Sequence, residues 1–454
     1  MNRFPAWGTV SAAVILTSSL CLGSAWAQSR DENWKRCLDR NPDLSIGGCT
    51  AFIQAGNEPN ENLASAFNNR GNAYDDIGQY DRAIQDFDEA IRLKPDLTEA
   101  FNNRGIAYNG KGQYDRAIQD FDQAIHLKPD DPEAFENRGI AYHRKGQFDR
   151  AIVDYDQAIR LKPNDAAAFH DRGIAYYEKV QYDRAIQDFD EAIRLRPDYE
   201  RAFDSRGNAY ARKRQYDRAI VDYDQAIRLK PNDAQIFEDR GIAYYRNGQY
   251  DRAIADYDEA IRLKPDYAQD FFNRGIAWRM KGDNERAIAD YSEAIRVNPQ
   301  YALAFFSRGI SQFFLGRFDA SASDFSESCR LNPQYAYALI WRNLSKSRSG
   351  NATLAKSELV TGSATLDKDK WPAPLIDLLV GRREPAAVLK AADHEDADTR
   401  RNQMCEAQFY LGEYHALNNH PNEARAMLQR AEQDCPKNHV AFAGAVSELK
   451  RLPH

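Results

Sequence analysis

The stretch AFNNRGIAYNGKGQYDRAIQDFDQAIHLKPD, residues 100–130, decides the fold. Apolar residues recur every three or four positions on either side of a glycine turn, which predicts two amphipathic helices, and Pro129 ends the second. One residue breaks the pattern. Arg104 stands directly before Gly105, where the apolar face would take a leucine.

Working outward, the same phrase returns with a fixed step. Gly71, Gly105, Gly139, Gly173, Gly207, Gly241, Gly275 and Gly309 follow one another at 34 residues, and Pro95, Pro129, Pro163, Pro197, Pro231, Pro265, Pro299 and Pro333 keep that step. Eight copies are thus in register: 64–97, 98–131, 132–165, 166–199, 200–233, 234–267, 268–301 and 302–335. With Ala64 as position 1, position 4 is always Phe, and position 20 is Ala except for Ser321. Val180 and Arg214 replace the turn glycine, and Gln312 replaces the aromatic of position 11.

In these residues the chain resembles the tetratricopeptide repeat (TPR) family. The resemblance implies an all-α fold, a right-handed superhelical solenoid of stacked antiparallel helix pairs with degenerate capping repeats. Small residues at positions 8 and 20 would let the two helices approach, and aromatics at 4, 11 and 24 would fill the space around them. A single pair cannot bury its apolar face alone, so neighbours must stack.

The arginine now has a setting. Position 7 is Arg in all eight copies and position 23 is Asp in all eight, so Arg104 faces Asp120 and Arg138 faces Asp154 across an antiparallel pair. We expect a ladder of semi-buried ion pairs. An exposed cationic stripe for anionic ligands is the rival reading, and the matched spacing of acid and base favours internal neutralisation.

The bulk numbers agree with a repeat array. The chain has 454 residues, too many for one ordinary core, with 43% hydrophobic and 28% charged residues and a net charge of −7. That acidic balance excludes a nucleic-acid partner, which needs a basic face. Residues 1–27 read as a signal peptide: Arg3, an apolar run too short to span a bilayer, then Ala25-Trp26-Ala27 as the cleavage pattern. Leu20 before Cys21 is bulkier than a lipidation site wants, so a free periplasmic or secreted protein without a membrane span is expected.

Extending the register backward puts Cys37 at position 8 and Cys49 at position 20, the places of closest helix approach. A disulfide there would staple a degenerate helix pair in 28–63, where Gly47-Gly48 weakens the helix. Residues 405–438 return to the pattern with Gly412, Ala424, Ala431 and Pro436, which brings Cys405 and Cys435 to adjoining helix ends as a second pair. Cys329, where other copies have Ile, reads as a buried inert thiol. Between lie degenerate helical repeats, 336–404, and 439–454 forms a C-terminal capping helix. In WPAPLIDLLVGRREPAAVL (371–389) and FYLGEYHALNNHPNEARAMLQRA (409–431) the chain is also similar to NlpI-type TPR adaptors of the bacterial envelope. That resemblance implies a non-catalytic adaptor that recruits peptidoglycan hydrolases and a protease.

Function is expected where copies differ. Positions 2, 5, 9, 12 and 13, which the TPR resemblance places on the concave inner face, vary from copy to copy. The candidate partner-binding residues are Tyr177, Arg212, Tyr245, Arg246, Phe272, Ile276, Met280, Phe306, Ile310, Phe313 and Phe314. Aromatics with Arg have the composition of an interface core. For the apolar copies seven and eight two outcomes stand open, docking of a partner or burial under the C-terminal helices. Asn68 and Asn72 lack a neighbouring lysine, so a carboxylate clamp for chaperone C-termini is not supported. No HExxH, GxSxG, P-loop or dinucleotide glycine motif is present, and no cofactor or metal is called for. The sequence therefore reads as a scaffold for other proteins or peptides; a self-assembling envelope subunit is the alternative.

Overall fold

Helix pairs repeat along the computed structural model, which describes residues 30–452. The expected signal peptide lies outside the described residues. Among the described residues there are helices and no strands. The chain divides into two units, the first ending at Lys213 and the second beginning at Arg214.

In the first unit, residues 30–37 and Pro42–Gln54 form the leading pair, and the latter helix runs unbroken through Gly47-Gly48. The repeats follow as Asn60–Asp76 with Tyr80–Leu93, Thr98–Gly110 with Tyr114–Leu127, Pro132–Arg144 with Phe148–Leu161, Ala166–Glu178 with Tyr182–Leu195, and then Glu200–Arg212. The second unit opens with Tyr216–Leu229 and continues with Ala234–Arg246 and Tyr250–Leu263, Ala268–Met280 and Asn284–Val297, Ala302–Phe314 and Phe318–Leu331. Beyond the repeats come Ala336–Arg348, Ala352–Gly362, the short Ala373–Leu379 and Pro385–Ala391, the hairpin of Ala397–Leu417 with Pro421–Asp434, and the C-terminal helix Val440–Leu449. The helix entering the last hairpin starts before residue 405, because Asp396 caps it by accepting from the Thr399 amide at 2.8 Å.

Local chemistry explains the turn. In the second repeat the Gln113 amide donates to Tyr108 O at 2.8 Å and the Gly112 amide to Asn109 O at 3.0 Å, a Schellman closure of the first helix. It requires left-handed backbone at position 15, where Gly112 has φ 72°. Val180 and Arg214 adopt the same conformation at φ 60° and 59°. A β-branched side chain there carries real strain.

The second helix of that repeat, Tyr114–Leu127, turns Ala117, Asp120, Phe121 and Ala124 inward, spaced three and four apart. Phe121 lies against Gly105: a Cβ on that glycine would meet the ring at 2.6 Å. Position 8 is thus small because the aromatic of position 24 lies over it. In the eighth copy positions 8 and 20 also meet directly, Ser321 Oγ donating to Gly309 O at 2.8 Å. Each buried large side chain contributes roughly 1.5–3 kcal/mol.

Both cysteine pairs are bonded, Cys37 to Cys49 and Cys405 to Cys435. Cys329 is free and buried, and burial pushes its thiol up.

Candidate functional site

The arginines of position 7 are occupied twice over. Arg104 Nε and Nη2 clasp Asp120 at 2.8 and 2.6 Å, while Nη1 reaches Asp88 of the preceding repeat at 2.6 Å. Arg138 repeats this with Asp154 at 2.8 and 2.7 Å and Asp122 at 2.6 Å. Arg172, Arg240 and Arg274 do likewise, and Arg308 finds Ser292 where its copy lacks the second carboxylate. The guanidinium therefore closes its own helix pair and ties it to the previous one. Asp120 is buried, and desolvation pushes its carboxyl up even against the pull of Arg104.

Charge is thus spent inside the array, and the variable positions carry what remains. In the first unit this face is polar: Asn103 donates to Asn68 at 3.0 Å and Asn137 to Asn102 at 3.1 Å. Position 12 holds buried polar atoms without partners, Asp75 Oδ1, Asn109 Oδ1 and His143 Nε2. Burial raises the Asp75 carboxyl and lowers the His143 imidazole. Glu136 is pushed up to about 7 by burial with Asp165 and Asp171 nearby. Tyr177 and Arg212 come together, Arg212 Nε donating to the Tyr177 hydroxyl at 2.9 Å.

In the second unit Tyr245 is half-buried beside Tyr250, with the Arg246 guanidinium 6.0 Å from its ring centroid. Phe272 is buried between Tyr291 and Tyr301 at 5.7 and 4.9 Å. Ile276 is partly buried against this cluster.

For the eighth copy the outcome is internal burial. Phe313 is 0% exposed and Ile310 2%, both inside a core with Trp341, Phe409 and Tyr410. Phe306 packs on Phe325 and Tyr335. Ile310 and Phe313 are covered by the chain itself, which corrects the expectation that they meet a partner, whereas Phe306 is only partly buried and Phe272, like Phe314, keeps 8% of its surface exposed.

The C-terminal helix supplies part of that cover. Ser447 Oγ donates to Phe314 O at 3.0 Å, and Arg451 Nη2 donates to Phe313 O at 2.9 Å. Arg348 bridges two buried carboxylates, Glu413 at 2.9 Å and Glu448 at 2.7 Å, and Arg451 also pairs with Glu448. Burial and Glu448 push the Glu413 carboxyl up.

Beside this helix a cleft of about 410 Å³ remains open. Met280 and Phe314, two of the expected residues, line it with Phe442, Ala443 and Val446. So do Arg279, Lys281, Lys437, His439 and Lys450, and no carboxylate does. Sequence reasoning missed Arg279, although its position 12 belongs to the variable set.

Models of the tetratricopeptide repeat match residues 64–97, and TPR repeat models match 107–146, 141–180, 175–214, 207–248, 243–278 and 279–316. Together they span more than half of the chain. The chain belongs to the tetratricopeptide repeat family. TPR repeats bind proteins or peptides, and the family is one of non-catalytic interaction scaffolds. No curated protein sequence matches this TPR chain significantly. Among solved structures it is similar to YrrB, a TPR protein with an unusual peptide-binding site, at 25% identity over 40% of this chain and 95% of that one, TM-score 0.37. MamA matches at 25% identity over 36% and 94%, TM-score 0.34, and a tetratricopeptide repeat protein from Parabacteroides merdae at 21% over 55% and 98%, TM-score 0.42.

Proposed function

We propose that this TPR protein is a non-catalytic adaptor of the bacterial cell envelope, which holds segments of partner proteins against the variable positions of its first helices. One observation carries the reading. The repeated arginines are neutralised within the array, whereas positions 5, 9, 12 and 13 change between copies, and position 12 keeps buried polar atoms without partners at Asp75, Asn109 and His143. A stack of uniform build with one variable side is suited to recognition rather than to chemistry, because no cluster of nucleophile, base and oxyanion donors recurs on it.

The envelope setting rests on the expected signal peptide, on two disulfides that suit an oxidising compartment, and on the NlpI-type likeness of the C-terminal region. Among the described residues no helix is long and apolar enough to cross a membrane. The proposed contact residues are Tyr177, Arg212, Tyr245, Arg246, Phe272, Ile276, Met280, Phe306 and Phe314.

The test is photo-crosslinking from Tyr245, replaced by a photoreactive residue in cells of the source organism, followed by mass spectrometry. One or a few envelope proteins captured in defined amounts support the adaptor. Capture of this chain alone, with concentration-dependent oligomers in isolation, supports the self-assembling subunit instead.

A further inference from the structure

The cleft beside the C-terminal helix has a composition unlike the rest of the array. Across the repeats, basic side chains meet carboxylates: position 7 clasps two, and Lys111, Lys145 and Lys179 each hold an aspartate of the preceding repeat. At the cleft the rule still holds for Lys281, which pairs with Asp251, and for His439, 3.5 Å from Glu406, but it lapses for the other three basic side chains. Among the described residues Arg279, Lys437 and Lys450 form no ion pair; the Arg279 guanidinium lies beside the buried Tyr291 hydroxyl, and its buried Nε has no carboxylate to bond. Asp283, four residues beyond Arg279, is engaged elsewhere, capping the next helix through the Arg286 amide at 3.1 Å.

The walls are apolar and come from two directions. The C-terminal helix buries Ala441, Gly444, Ala445 and Glu448 in the core and turns Phe442, Ala443, Val446, Ser447 and Lys450 to the cleft, a second stripe with helical spacing. Opposite stand Met280 and Phe314 from neighbouring repeats. Lys437 and His439 lie before the N-terminus of this helix and Lys450 just past its end, so the cations are spread along its length. A ten-residue helix is about 15 Å long, which matches roughly five residues of extended chain. At about 410 Å³ the cleft falls in the usual range of ligand pockets, roughly 300–1,000 Å³.

We infer that this cleft is a docking site for an acidic protein segment, one that combines carboxylates for Arg279, Lys437 and Lys450 with a large apolar side chain for the Met280, Phe314, Phe442 and Val446 walls. Charge complementarity selects the occupant: a cation left half-buried without an anion is costly, and a carboxylate brought by the partner relieves it with a strong charge-assisted hydrogen bond. A basic segment would be repelled, and a purely apolar one would leave the guanidinium unpaired. The inference rests on the adaptor reading and adds to it the sign and place of one contact.

Fluorescence anisotropy on the full chain tests it with three labelled short peptides of equal length: alternating glutamate and leucine, the same with glutamine for glutamate, and the same with lysine for glutamate. The acidic peptide should bind at least tenfold more tightly than either counterpart, and should weaken with added salt. Arg279→Glu with Lys450→Glu should reduce its affinity at least tenfold. Should that variant misfold, Lys437→Glu with Lys450→Glu, both at exposed positions, gives the same reading. Equal binding of all three peptides, preference for the basic one, or affinity unchanged in both variants overturns the cleft assignment. Loss of acidic-peptide binding in Tyr177→Ala with Arg212→Ala, but not in the cleft variants, also rejects the cleft and leaves the adaptor reading standing. Absence of any acidic-peptide binding rejects the cleft too, whereas the adaptor reading stands or falls by the crosslinking.

Discussion

Arg104 and Arg279 carry the same guanidinium on the first helix of their repeats, at positions 7 and 12, and meet opposite surroundings. Arg104 has one carboxylate within its hairpin and another from the hairpin before it. Arg279 has none and faces a cleft rimmed by further cations. Five positions along one helix separate a charge that fixes the stack from a charge kept for something outside it. In a repeat array the first kind is copied into every unit because every unit needs the same contact, and the second kind varies from copy to copy, position 12 being Arg in the seventh repeat alone of the eight.

The largest expected effect tests the inner charge. Arg104→Ala leaves Asp120 buried and uncompensated and should cost about 3–5 kcal/mol, read by hydrogen exchange of the amides in residues 98–131. A cost near that of an ordinary surface change would place Arg104 in the class of Arg279 and end the contrast.

A buried charge of the other sign sharpens it. Asp270 is 1% exposed with Oδ1 unpartnered, and burial together with Glu238 pushes its carboxyl up to about 7, with Lys264 opposing. A raised carboxyl binds more protons folded than unfolded, so its contribution is fully present below about pH 4 and is lost as pH rises through about 7. Asp270→Asn should therefore stabilise the second unit on the order of 2 kcal/mol at pH 8 and change little at pH 4, measured by urea unfolding at both values. Equal effects at the two pH values would show that the carboxyl titrates normally.

Smaller still is the turn. Val180→Gly relieves left-handed backbone at an exposed valine and should gain about 1 kcal/mol in the first unit, which would show that this departure from the repeat is scaffold strain. The least effect is expected at Arg279 itself: Arg279→Gln, which removes a half-buried cation without an anion, should raise thermal stability by about 0.5 kcal/mol.

The period, the helix pairs and the pairing of position 7 with 23 could be read from the sequence, because Arg104 and Asp120 belong to one repeat whose internal geometry the spacing dictates. Cys37 and Cys49 were legible for the same reason, as they fall on positions 8 and 20. The role of position 25 was not: Asp88 meets Arg104 across two repeats, and the register within one copy does not say which neighbour is faced. Nor did the pattern place the C-terminal helix. Ser447 reaches Phe314 across 133 residues of chain, and no local periodicity reports where a closing helix lands. That contact decided which apolar residues of the eighth copy are core, and it formed the cleft that Arg279 faces.

The most direct test of the central claim, that the repeated arginine is bound within the array, is a double-mutant cycle of Arg138→Ala and Asp154→Ala, read by native-state hydrogen exchange in residues 132–165. The account predicts a coupling energy of at least about 1.5 kcal/mol. Additive effects, with coupling near zero, would contradict it.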